Sequence, residues 1–177
     1  ASSVPGELDL VITGFNYFPL ESSVFVGSNE ISIDVAHSSD WNLVGLPVAV
    51  DDPSYLSLFP FAVENTLYSF SGSYVLESEL QEGEGYWLRF PSSGTDTIMG
   101  ETINEITIEL TEGWNLISGV SSSVHITNIV DPNALIIPGT IYGYADSYSE
   151  AYMIEPGHAY WLRSFANGQI TILSIDQ

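Results

Sequence analysis

Part of this chain is written twice. Trp41-Asn42-Leu43-Val44 returns as Trp114-Asn115-Leu116-Ile117, 73 residues on (114 − 41). Gly85-Tyr86-Trp87-Leu88-Arg89 returns as Ala159-Tyr160-Trp161-Leu162-Arg163, 74 residues on (160 − 86). Between these marks Leu67-Tyr68-Ser69-Phe70 answers Ile141-Tyr142-Gly143-Tyr144. A near-constant offset means two copies of one folding unit, each burying a face that it cannot cover alone. The lead-ins match as well: Val24-Phe25-Val26-Gly27 with Asn29 to Ile33 parallels Thr97-Ile98-Met99-Gly100 with Asn104 to Ile108. On this alignment the first unit covers 22–98 and the second 99–177. Residues 1–21 have no counterpart and contribute a strand-like segment of their own, Leu8 to Phe18.

The residues inside each copy alternate with period two. Ile31, Ile33 and Val35 alternate with polar or small neighbours, as do Ile106, Ile108 and Leu110, and Ile170 with Ile172. β-branched residues at this period make half-buried strands. Gly, Asn, Asp, Ser and Pro clusters punctuate them at about 8–12 residues, the rhythm of sandwiches and barrels. The expectation is an all-β fold: two tandem, similar sandwich-like or barrel-like units with an extra N-terminal strand. The Tyr-Trp-Leu-Arg and Trp-Asn-Leu strands should be central. Asp52-Pro53 and Asp131-Pro132 add one helical hint, since Asp before Pro starts a helix; a turn or two should follow each.

Charge narrows the partners. Asp plus Glu number 23 against two basic residues, both Arg, for a net charge of −21. Binding a nucleic-acid backbone needs cations, so that partner is excluded, and anionic membranes would repel the chain. No apolar run reaches the ~18–20 residues that span a bilayer. There is no Cys, hence neither disulfide nor thiolate metal site. A start at Ala1-Ser2-Ser3 reads as a mature terminus left by removal of a secretory signal, which places the protein outside the cell or on its surface.

The two arginines occupy equivalent positions. In a strand Trp87 and Arg89 share one face, as do Trp161 and Arg163. Either each Arg packs on its Trp and pairs with a local carboxylate, or the pair forms a ligand site with Trp as platform and Arg as clamp. Trp41 and Trp114 read as core anchors, each with an Asn closing a turn, with a ligand platform as the alternative. His37, His125 and His158 do not correspond between copies and show no metal-ligand spacing. There is no Gly-x-Ser-x-Gly elbow, zincin motif, EF-hand loop or phosphate-binding loop, so no catalytic residue is assigned. Asp51, Asp52 and Asp131 are candidate calcium ligands in loops, against the simpler reading that the Asp-Pro pairs cap turns.

Gly113-Trp114-Asn115-Leu116-Ile117 and Pro156-Gly157-His158-Ala159-Tyr160-Trp161-Leu162 resemble the β-rich repeat modules of secreted bacterial and archaeal surface proteins, which open on Gly-Trp-Asn-Leu-Ile and close on Pro-Gly-x-Gly-Tyr-Trp-Leu. The first copy departs from the pattern at Asp40 and at Glu82-Gly83-Glu84-Gly85. The resemblance implies an extracellular, mainly non-catalytic module. The leading expectation is therefore a structural protein, a subunit of a filament, sheath or surface layer. It would assemble by donating the strand with Leu8, Leu10 and Ile12 to another copy, unless that strand covers its own sheet edge. The alternative is a carbohydrate-binding or adhesion module with polysaccharide as partner.

Overall fold

A computed structural model describes residues 29–174 throughout, together with the backbone of two strands before them. In chain order the elements are β1 (Gly6–Ile12), β2 (Leu20–Val26), β3 (Glu30–His37), β4 (Asp40–Gly45), β5 (Val48–Ala49), helix α1 (Tyr55–Leu58), β6 (Tyr68–Phe70), β7 (Tyr74–Leu76), β8 (Gly85–Phe90) and β9 (Gly94–Thr102). The second half continues with β10 (Glu105–Leu110), β11 (Gly113–Ser118), β12 (Val124–His125), a 3₁₀ turn (Ile126–Asn128), β13 (Tyr142–Ala145), β14 (Ser147–Glu150), β15 (Met153–Ile154), β16 (Ala159–Ser164) and β17 (Gly168–Leu173). Every pairing is antiparallel and no sheet closes on itself, so the fold is all-β and sandwich-like rather than barrel-like.

Each copy folds as one unit. In the first, β3-β9-β5 faces β4-β8-β6-β7; in the second, β10-β17 faces β11-β16-β13-β14, with β12-β15 at one side. Alternation places the apolar residues inward. Val35 on β3 and Ile98 on β9 meet Tyr86, Leu88 and Phe90 of β8 in one core. Ile108, Leu110, Ile170 and Ile172 meet Ile117, Tyr160 and Leu162 in the other.

β9 joins the units. Its first residues correspond to β17, so Thr97-Ile98-Met99 closes the first unit instead of leading into the second. The 98/99 boundary expected from sequence thus falls inside a single strand, and the structural break lies between Thr102 and Glu105. At the other end β2 runs from Leu20 and pairs with β1 as a hairpin, Gly6 opposite Val26 and Ile12 opposite Leu20. The 21/22 boundary therefore also cuts a strand. Among the described residues neither β1 nor β2 joins a sheet of either unit. The side chains of Leu8, Leu10 and Ile12, and residues 13–19 of the expected segment, lie outside the described residues.

The backbone carries the repeat where the sequence hides it. Left-handed residues recur at Asp40 and Gly113, Asn65 and Gly139, Gly72 and Asp146, and Gly83 and Gly157. Only at Gly83 and Gly157 does glycine hold both positions. Elsewhere one copy uses Asp or Asn, the residues that tolerate this region best. Asn42 accepts from the Ser38 amide and donates to the Ser38 and Asp40 carbonyls. Asn115 repeats the pattern on Thr111 and Gly113. The expected turn closure by Asn is thus present twice, and in each copy one of its partners is the left-handed residue itself.

Candidate binding face

The two units meet about a pseudo-twofold axis. Val44 bridges His158 and its counterpart Ile117 bridges Glu84, which is the counterpart of His158. The Gly45 amide donates to the Gly157 carbonyl at 3.0 Å, and the Ser118 amide to that of Gly83 at 2.9 Å. β4 and β11 lie at the ends of their sheets, but these bridges place them at the centre of the molecule, flanked by β8 and β16. Leu43, Leu116, Ala159 and Trp161 form a third apolar cluster there, with Phe70, Trp87, Tyr142 and Tyr144 packed against it.

Aromatic rings cross the axis. Phe70 of the first unit meets Trp161 of the second edge-on, with centroids 4.8 Å apart. Its counterpart Tyr144 meets Trp87 in the same way at 4.8 Å. Within each unit Trp41 stands at right angles to Trp87 at 6.3 Å, and Trp114 to Trp161 at 6.2 Å. Edge-on pairs of this kind are favoured by the ring quadrupole.

Two equivalent troughs result. One, of about 470 Å³, is lined by Phe70, Trp114, Tyr142, Tyr148 and Trp161. The other, of about 580 Å³, is lined by Trp41, Tyr68, Tyr74, Trp87, Tyr144 and Tyr148. The first takes one ring from the opposite unit, Phe70, and the second takes two, Tyr144 and Tyr148, so neither trough is complete in a single copy. Trp41 and Trp114 are 36% and 42% exposed, and Tyr74 and Tyr148 more so. The expectation that Trp41 and Trp114 anchor the core is overturned. Their strand positions point to the face opposite the core, which each core fills with Leu88 or Leu162 instead.

The troughs are almost wholly apolar, with one exception. Trp161 is buried, and its indole Nε1 has no hydrogen-bond partner. The Tyr148 hydroxyl is the polar group beside it: burial raises the pKa of that phenol, and its interaction with the Trp161 N–H lowers it less. An unmade bond at a buried donor costs about 1–3 kcal/mol.

The arginines stand beside the troughs and differ from one another. Arg89 is opposite Trp41 across the ladder, and Arg163 opposite Trp114. Arg89 Nε donates to Asp40 Oδ1 at 2.7 Å in an exposed ion pair. In the second unit Gly113 replaces Asp40, and among the described residues Arg163 makes no ion pair. The expected carboxylate is therefore found in one copy and not in the other. Neither guanidinium stacks on an indole among the described residues. What the copies share is at the backbone: the amides of Arg89 and Arg163 meet Thr66 Oγ1 and Thr140 Oγ1.

The remaining candidates stand apart. His37 stacks on Phe90 at 3.7 Å and its Nε2 lies 3.2 Å from Asp96 Oδ2, while Nδ1 bonds nothing, so no serine hydroxyl completes an array with it. His125 accepts from the Thr127 amide at the 3₁₀ turn. His158 sits at the axis, where burial lowers its pKa and the nearby Glu155 raises it less. Asp52 accepts from the Ser54 amide and the Ser57 hydroxyl, bonds that lower its pKa, and α1 follows. Asp131 accepts from the amides of Leu135 and Ile136, at 2.8 Å each, and closes a turn without a helix. Their carboxylates serve the backbone, Asp51 is exposed, and among the described residues no three His, Asp or Glu gather as a metal group. Tyr86 and Tyr160, the inward partners of the two tryptophans, accept from the amides of Gln81 and Glu155, and burial raises both their pKa values.

Comparison with known protein families, with curated proteins and with solved structures finds no match for this chain.

Proposed function

We propose that the protein is a non-enzymatic, extracellular binding module whose twin aromatic troughs hold a neutral polysaccharide chain. The reading rests on one observation above others: twin troughs lined almost wholly by aromatic rings, one of them including Trp161 with its buried indole N–H. A sugar ring has an apolar face of C–H bonds and an edge of oxygens. The first suits ring stacking; the second suits a lone donor. A few placed polar groups in an apolar cleft are how such sites orient a ligand. A net charge of −21 favours a neutral glycan over an anionic one. Two troughs related by the repeat suit a chain with repeating units, and linked sites gain affinity from each other.

Calorimetry with neutral oligosaccharides of several linkages tests this. Trp41→Ala and Trp114→Ala should each weaken binding at least about tenfold, the ~1.4 kcal/mol expected for one lost platform. Because both rings are half exposed, the melting temperature should hardly move. Absence of binding across the panel, or binding indifferent to both substitutions, overturns the proposal.

A second reading keeps the protein as a structural subunit of a filament, sheath or surface layer. It is favoured by the β1–β2 hairpin, which among the described residues pairs with neither unit. A hairpin alone in water is marginally stable, and another strand would steady it.

A further inference from the structure

The repeat supplies its own control for the outer edges of the sheets. β7 ends the sheet β4-β8-β6-β7, and β14 ends the equivalent sheet of the second unit. Tyr74 corresponds to Tyr148, Val75 to Ser149 and Leu76 to Glu150. β14 is thus guarded by a serine and a charge, the usual protection of an open edge. β7 is not: Tyr74, Val75 and Leu76 are 56%, 41% and 52% exposed, three large apolar residues in succession. The same backbone position in the same fold has been kept polar in one unit and apolar in the other.

Charge separates the edges further. In a chain of −21, the stretch from Asn65 to Leu76 contains no charged residue, whereas the matching stretch carries Asp146 and Glu150. A second copy, itself strongly acidic, meets no charge within β7, whereas β14 presents Glu150 and follows Asp146. The chain also contains a strand suited to that edge. Among the described residues β1 pairs on one side with β2 and with no other strand. Its sequence alternates Leu8, Leu10 and Ile12 with Asp9 and Val11.

We infer that β7 is an acceptor edge, and that its occupant is the β1 strand of the N-terminal hairpin of a second copy of this chain. Main-chain bonds would extend the four-stranded sheet, and Tyr74 and Leu76 would meet alternate apolar residues of the incoming strand. The contact is heterologous, so it does not close and builds a linear polymer. This names the interface for the structural reading and is independent of glycan binding.

The test exchanges the edges in the full chain. Val75→Ser with Leu76→Glu gives β7 the residues that β14 already carries at equivalent positions, so the fold is expected to survive; circular dichroism checks it. Tyr74, which lines a trough, is left in place. Sedimentation velocity is run in about 0.5 M NaCl, where the Debye length is about 4 Å. The native chain should form a ladder of oligomers growing with concentration. The double variant should raise the dissociation constant at least about tenfold (1.4 kcal/mol), and Leu10→Lys on the donor strand should do the same. A native chain that stays monomeric, or a double variant that associates as well as native, overturns the acceptor edge. Association that stops at a dimer and ignores Leu10→Lys overturns the hairpin as occupant, in favour of β7 pairing with β7. Glycan calorimetry on the double variant separates this interface from the troughs: binding should be unchanged.

Discussion

At the scale of single residues, the repeat shows which choices are free and which are not. Position 40 and its counterpart 113 both need a left-handed backbone, with φ of 74° and 97°. One copy meets the need with glycine, the other with an aspartate that also pairs with Arg89. Two small effects oppose each other when Asp40 is changed. The ion pair is exposed, so it contributes about 0.2–1 kcal/mol. A left-handed non-glycine costs on the order of 1 kcal/mol, less for Asp than for most residues. Asp40→Gly should therefore leave stability within about 1 kcal/mol of native. Asp40→Ala loses the pair and keeps the strain, and should cost about 1–2 kcal/mol. Urea unfolding of both variants checks the order. If Asp40→Gly proves the more damaging, the Arg89 pair matters more than its exposure implies. The same comparison explains why the arginines misled a reading from sequence. Equal position suggested equal partners, but the partner of Arg89 sits at a place in the motif where the copies differ, Asp40 against Gly113.

At the scale of elements, the axis between β4 and β11 is set by small residues. Gly45 faces its own counterpart, Ser118, and a Cβ on Gly45 would overlap the Ser118 Cβ. Gly85 likewise faces its counterpart Ala159, with room for one methyl and not two: an added Cβ would lie 2.7 Å from the Ala159 Cβ. Each contact holds one glycine and one side chain, an asymmetry that a tandem chain permits and a true homodimer does not. Gly45→Ser should destabilise by about 1–3 kcal/mol or more, as overpacking does. Adding Ser118→Gly should recover most of that loss, since the exchange only reverses the roles of the copies. A double-mutant cycle measures the coupling. Additive losses would show that Gly45 is needed for reasons other than this contact. Much at this scale was legible beforehand. The repeat, the strands and the inward residues follow from period two, because that pattern is local. The unit boundaries did not follow: β9 carries both the end of one copy and the approach to the next, and its resemblance to the β2 region is one of sequence and not of place. The aromatic face was half legible. Trp87 and Trp161 were read as sharing a face with the arginines, while Trp41 and Trp114 were read first as core residues because a large aromatic in a strand usually belongs there. What exposes them is the meeting of two units across an axis, a long-range event that no window of sequence contains. Tyr74, Tyr144 and Tyr148 were missed for the same reason, although their equivalence with Phe70 and one another was a signal within reach.

At the scale of the whole molecule, charge sets the conditions under which any of these contacts operate. Twenty-three carboxylates and two guanidiniums on a chain of 177 residues repel one another in the folded state more than in the expanded one. Salt screens that repulsion over a Debye length of about 10 Å at 0.1 M. Few attractive pairs stand to be lost: among the described residues the Arg–carboxylate pairs number one, Arg89 with Asp40, and the other ion contact joins His37 to Asp96. Screening should therefore raise stability where in most proteins it is nearly neutral. The melting temperature should climb steadily from about 10 mM to 1 M NaCl, as the Debye length falls from about 30 to 3 Å. Calcium and magnesium at matched ionic strength should follow similar, non-saturating curves, because screening depends on charge and not on coordination. A calcium effect that saturates at micromolar concentration and is not reproduced by magnesium would refute pure screening. It would place a specific oxygen-ligand site on the molecule, one drawing on acids that the described residues do not bring together.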